Sequence, residues 1–95
     1  MSTFRGYVYI LITAIGTRYI GSTKNLAKRI AEHNAGRVLS TRLKRPVRLL
    51  GYRVFSDVRE AAMWEKKYER SHGQLDRDMK KGILVVTAES PFRRQ

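Results

Sequence analysis

Two tyrosines, an arginine and a histidine fall within one short stretch of this chain, and a carboxylate stands among apolar positions further on. Tyr9, Tyr19, Arg29 and His33 all lie between Tyr7 and His33. Taken singly, Arg29 also fits a solvated helix arginine. His33 also fits a residue in the last turn of a helix, facing its dipole. Glu65 is the sharper anomaly. On a helical wheel it falls near the middle of the apolar arc made by Val58, Ala61, Ala62, Trp64 and Tyr68. A carboxylate there is costly unless it is paired or bound to a metal, or snorkels at an edge. Glu69, one turn later on the same side, is the competing carboxylate.

These residues need elements that bring them together. Tyr7–Thr13, rich in aromatic and β-branched residues, reads as a buried strand, and Arg18–Gly21 as the returning one. Loop length decides the faces. A two-residue turn puts Tyr9 and Tyr19 on opposite sides of the hairpin. A three-residue loop pairs Thr13 with Thr17 and gives the tyrosines one face. Gly16 stands where such a loop wants a left-handed residue, so the shared face is the expectation. Ser22 and Thr23 offer caps for a helix from about Asn25 to Ala35, stopped by Gly36. Leu26, Ala27, Ile30 and Ala31 form its apolar arc, with Arg29 and His33 at the rim and Lys28 and Glu32 opposite, in ion-pair spacing.

Residues 37–45 read as a polar, basic connection whose Arg37, Arg42, Lys44 and Arg45, with Lys24, are candidates for phosphate contact. A plain solvated surface fits them too. Pro46 opens a strand to about Phe55, with Val47, Leu49, Tyr52 and Val54 as its apolar positions and Gly51 marking a bulge or close approach. Asp57 and Glu60 are a capping pair for a second helix running to about Ser71 and ended by His72-Gly73. A third helix over Gln74–Lys81 stops at Gly82. Residues 83–87 read as a strand or docked tail, and Ser90–Gln95 as a frayed end.

The whole chain of 95 residues fits one domain, with a core over about 6–72 and a C-terminal tail over 82–95. Twenty Lys+Arg against 8 Asp+Glu give a formal net charge of +12. That charge on so small a surface attracts polyanions, with nucleic acid ahead of an anionic membrane surface. The absence of cysteine excludes disulfides and Cys-based zinc sites, and two histidines make a multi-histidine site unfavourable. A metal would then be held by carboxylates and water, which points to Mg²⁺ or Mn²⁺. No run has the character of a signal peptide or membrane span, so a cytoplasmic protein is expected.

GYVYIL, followed by RYIGSTKNLAKRIAEH, resembles the two-part signature of the GIY-YIG nuclease superfamily. Val8-Tyr9 stand for the end of the first triplet and Tyr19-Ile20-Gly21 for the second. HNAG, STRLKRPVRL and FSDVREAAMWEKKYE extend the likeness to about Arg70, in the manner of the small stand-alone bacterial branch. Two departures are plain. Tyr7 occupies the place of the first triplet's glycine, and the second helix breaks at His72-Gly73.

The resemblance implies a small α/β (α+β) domain with a three-stranded, mostly antiparallel sheet flanked by helices. It implies a metal-dependent DNA endonuclease, structure-selective or weakly sequence-specific, in a setting such as repair or recombination. Tyr9 and Tyr19 would be the active-site tyrosines, one of them a general base or water-orienting group. Arg29 would hold the scissile phosphate, and His33 would assist proton transfer or orient a tyrosine. Glu65 would ligate a single Mg²⁺ or Mn²⁺. Gly21 would permit close backbone approach, and Asn25 would support the start of the helix. The partner is DNA, with RNA as an alternative and protein partners unspecified. Two other classes remain: a non-catalytic basic nucleic-acid-binding module of the same fold, and an RNA- or ribosome-associated basic protein. The last explains the charge but not the set Tyr9, Tyr19, Arg29, His33 and Glu65.

Overall fold

A computed structural model describes residues 5–87. The reading of Ser90–Gln95 as a frayed end lies outside the described residues. Strands β1 (Gly6–Ile12) and β2 (Arg18–Thr23) form an antiparallel hairpin. Its loop has three residues. The Thr13 N–H donates to the Thr17 carbonyl at 2.9 Å, and Gly16 takes φ 89°, a conformation that only glycine adopts without strain. Tyr9 then faces Gly21 and Leu11 faces Tyr19. Side chains alternate with period two, so Tyr9 and Tyr19 share a face, as loop length requires.

The sheet has four strands in the order β2-β1-β3-β4, where β3 is Arg48–Phe55 and β4 is Val85–Val86. The expected three-stranded sheet is thus corrected by one short edge strand. Two residues are too few to show a period, and their pairing depends on Gly51. A Cβ there would stand 2.8 Å from the Val85 carbonyl oxygen. Gly51 also borders a bulge. Ile10 pairs with Gly51 but Leu11 pairs with Leu49, which leaves Leu50 as the extra residue. The bulge breaks the expected alternation: Leu50 is buried, whereas Val54 is exposed.

Helix α1 (Leu26–Asn34) covers the Tyr9 face of the sheet, where Leu26 and Ile30 pack with Tyr9, Leu11 and Val47. The opposite face, with Val8, Ile10 and Ile20, is covered by α2 (Val58–Arg70) and α3 (His72–Lys80) through Ala61, Tyr68 and Leu75. Asn25 caps α1 by accepting the Lys28 N–H at 3.1 Å, in place of the expected Ser22 or Thr23. Asp57 caps α2 as expected. The end of α2 differs: Ser71 closes it, and its hydroxyl accepts the Gln74 N–H at 3.1 Å. One serine thus caps two successive helices, and His72-Gly73 opens α3 instead of ending α2.

Candidate active site

The Tyr9 hydroxyl and His33 Nε2 lie 2.9 Å apart, and the other ring nitrogen, Nδ1, lies 2.7 Å from the Thr41 hydroxyl. All three residues are buried. His33 is therefore not on the rim of α1. The helix turns it under the sheet, between a tyrosine of β1 and a threonine of the basic connection. The Tyr19 ring meets the His33 ring edge-on at 5.0 Å, and the Tyr9 ring is 6.2 Å from that of Tyr19. Gly21 makes the room. A Cβ on it would stand 2.6 Å from the Tyr9 oxygen and 3.0 Å from the Tyr19 ring, so any side chain would displace one of the tyrosines.

Electrostatics set the proton positions. Burial pushes the Tyr9 phenol up to about 12, against the opposing influence of nearby Arg29. Burial, and then the charge of Arg29, holds the His33 imidazole below its ordinary value. At neutral pH the ring is therefore neutral, with one nitrogen that donates and one that accepts. With the ring neutral, an arrangement consistent with both contacts has the Tyr9 O–H donating to Nε2 and Nδ1–H donating to Thr41, with the charge of Arg29 close to the phenol.

Arg29 also pairs with Glu32 at 3.0 Å. Glu32 was expected to pair with Lys28. The hydrogen bond from Arg29 does more than the charges of Lys28 and Arg37 to hold its carboxyl below the usual range. Ser22, Thr23, Lys24, Asn25, Lys28, Arg29 and Glu32 line a cleft of about 270 Å³ at the N-terminal end of α1. Three cations and a helix N-terminus converge there, an arrangement that suits an anion.

Glu65 approaches from the other side of the sheet. Helix α2 packs against β1 and β2 on the face opposite α1. Glu65 is half-buried on the flank of the stripe set by Ala61 and Tyr68, and Ala62, expected within that stripe, is exposed. The Ser22 hydroxyl donates to Glu65 Oε1 at 2.6 Å. Ser22 lies on the edge strand β2 and also lines the cleft, so it joins the carboxylate to the cleft around the sheet's edge. Glu65 is near enough for its charge to raise the Tyr9 phenol. Glu69 is exposed; burial and then Glu65 raise its carboxyl.

No group of three or more His, Cys, Asp or Glu that suits a metal occurs among the described residues. The oxygen donors at hand are Glu65, Ser22 and Glu69. They fit a hard divalent cation such as Mg²⁺ or Mn²⁺ that keeps most of its water, and no soft metal.

The remaining expected contacts divide along α1. Lys24 lines the cleft beside Arg29. Arg37, Arg42 and Arg45 are exposed and Lys44 half-buried at the helix's other end, where Arg45 donates to the carbonyls of Arg42 and Asn34. Ser22, Glu32 and Thr41 are the residues that sequence reasoning missed. Ser22 was read as a cap, Glu32 as a partner of Lys28, and Thr41 as part of a surface connection.

Comparison with known proteins identifies the family. The family model described as the GIY-YIG catalytic domain matches residues 5–80. UPF0213 protein SpyM50708 of Streptococcus pyogenes serotype M5 is 50% identical over 64 residues, which cover 66% of this chain and 68% of that protein. UPF0213 protein SpyM3_1077 of Streptococcus pyogenes serotype M3 is 48% identical over the same length. Among solved structures, the chain is similar to the solution NMR structure of UPF0213 protein BH0048 from Bacillus halodurans. That match has 34% identity and a TM-score of 0.48, covering 76% of this chain and 82% of that one. No helix among the described residues is long and apolar enough to cross a membrane. With its catalytic-domain match across most of its length and relatives at half identity, the chain belongs to the GIY-YIG family of nucleases.

Proposed function

We propose that this protein is a metal-dependent DNA endonuclease that hydrolyses phosphodiester bonds at the cleft beside Arg29. It reads DNA structure more than sequence. The observation that carries this reading is the hydrogen-bonded chain from Tyr9 through the neutral imidazole of His33 to Thr41, beside Arg29 of the cationic cleft.

Hydrolysis needs an activated water and neutralisation of the charge that develops on the non-bridging oxygens. Arg29 moves from Glu32 to the phosphate. The attacking water gives a proton to the Tyr9 oxygen as the Tyr9 proton passes to His33 Nε2. The water oxygen forms the new bond to phosphorus, the bond to the leaving oxygen breaks, and that oxygen takes a proton from solvent. Thr41 holds the imidazole in the tautomer that can accept. Tyr19, half-buried, closes the other side of the imidazole. Glu65, oriented by Ser22, would hold a single Mg²⁺ or Mn²⁺, with Glu69 as a second carboxylate one turn along the same helix. Such an ion, when bound, supplies charge stabilisation at the phosphate.

The test is a cleavage assay on single-stranded, duplex, flapped and branched DNA with Mg²⁺ or Mn²⁺. Cutting is expected with either metal and is abolished in Glu65→Ala and Arg29→Ala. No cutting of any substrate with either metal would sink the enzyme reading. The Arg29–Glu32 ion pair favours a second reading, a binding module without catalysis, because Arg29 must leave that carboxylate before it can hold a phosphate. Salt-sensitive binding without cleavage is its signature.

A further inference from the structure

Apolar side chains stand exposed at the end of α1 remote from the cleft. Leu43 is 91% exposed, Leu39 77% and Ile15 65%. Leu43 sits in the 3₁₀ turn Arg42–Lys44. The hairpin tip lies against that turn, because the Ala14 N–H donates to the Lys44 carbonyl at 2.9 Å, which brings Ile15 alongside. Leu43 shares a surface hollow with Asn34, Arg42, Arg45 and Pro46. The Arg45 guanidinium is pinned there by the carbonyls of Arg42 and Asn34. No acidic residue occurs between Glu32 and Asp57.

We infer that Leu43, with Ile15 beside it, is a wedge that enters opened base steps of DNA while the flanking arginines hold the adjacent phosphates. Leu43 stands 91% exposed beside Arg42 and Arg45, in a stretch with no acidic residue, so an apolar tip is flanked by cations that complement phosphate. Apolar side chains that insert between bases, beside arginines on the backbone, are a known means of holding kinked or unpaired DNA. Because unstacking costs least where bases are already unpaired, the wedge selects bubbles, branches and mismatches over perfect duplex. The inference rests on the nuclease reading for the identity of the polyanion, and it deepens that reading by naming what selects the DNA structure. The cleft and the wedge lie at opposite ends of α1. Its nine residues span about 13 Å, or about four nucleotides of one strand.

The full chain, in EDTA so that cleavage is silent, is titrated into perfect duplex and into duplex with a central bubble carrying 2-aminopurine. The expected result is binding to the bubble about tenfold tighter than to duplex, with a change in 2-aminopurine fluorescence. Leu43→Ala should collapse that preference, and Met63→Ala, an exposed apolar residue on α2, should keep it. Equal affinity for bubble and duplex in the wild type, or a preference unaltered in Leu43→Ala, would overturn the inference. So would a loss confined to binding of anionic phosphatidylglycerol vesicles, which would assign the patch to a membrane surface. Failure of the nuclease reading shows separately, as absent cleavage with the Leu43-dependent preference intact.

Discussion

Thr41 holds the imidazole of His33 through a single 2.7 Å contact, and its replacement separates catalysis from stability. In Thr41→Val the shape is kept but Nδ1–H loses its buried acceptor. The ring escapes that cost by moving its proton to Nε2, which removes the acceptor for the Tyr9 hydroxyl. Thr41→Val should therefore lower kcat for DNA cleavage by about tenfold or more with KM little changed, and Thr41→Ser should restore it. The pH profile adds a readout that a merely structural role would not move. His33 sits below its ordinary value of 6.5, so wild-type cleavage is retained through neutral pH and lost as pH falls through that lowered value. Losing the acceptor for Nδ1–H disfavours the imidazolium further, so the acid limb of Thr41→Val should lie at lower pH than that of the wild type. An unmoved limb would show that Thr41 only packs. Tyr9 and Tyr19 were legible in the sequence because strand alternation and loop length together determine a face. Thr41 was not, because a threonine in a basic run carries no local signal, and its burial depends on how α1 packs eight residues earlier.

Helices α2 and α3 are joined by a polar contact within an otherwise apolar layer. The Tyr68 hydroxyl donates to Asp78 at 2.6 Å and accepts from Arg53 of β3 at 2.8 Å. Gln74 donates to the other Asp78 oxygen at 2.8 Å, and Arg53 lies over the rings of Trp64 and Phe55. Burial, with the Asp78 hydrogen bond, pushes the Tyr68 phenol up to about 12, so it stays protonated and keeps donating. Tyr68→Phe leaves the buried Asp78 short of one donor and should cost about 1–3 kcal/mol, read as a lower denaturant midpoint with an unchanged slope. Cleavage per folded molecule should not change, because the cluster lies away from the cleft. The apolar positions Ala61, Trp64 and Tyr68 of α2 were readable, although Ala62 is exposed, and so were the cap Asp57 and the stop at Gly82. The join at Ser71 was not, since a glycine two residues on looked like the stronger punctuation. Nor was the bulge at Leu50, which depends on pairing with β1 and on the approach of β4, both remote in sequence.

At the scale of the molecule, charge and chemistry are separated along the chain. Glu32 is the single acidic residue before Asp57 and is itself paired with Arg29, so α1 and the basic connection are strongly cationic, while on β2 Arg18 is paired with Asp76 of α3. The oxygen donors suited to a metal come instead from α2, across the sheet, with Ser22 as their link to the cleft. Overall basicity was plain from composition, but this division was not, because it depends on which face each helix covers. Its consequence is that affinity and cleavage answer to different perturbations. Binding to DNA should weaken linearly on a log–log plot against salt, and Arg42→Ala should reduce the slope by about 0.9 if that exposed arginine neutralises one phosphate. Chelation by EDTA should stop cleavage while leaving the wild-type salt slope in place, because the cations that set it lie apart from Glu65. Glu65→Ala should reproduce that behaviour in the presence of Mg²⁺: no cleavage, with affinity equal to or slightly above the wild type, since a carboxylate near the phosphate has been removed. A fluorescence anisotropy titration across salt concentrations, with and without EDTA, measures each of these. A large loss of DNA affinity on chelation would instead mean that the ion itself carries the DNA, and the separation of the two surfaces would fail.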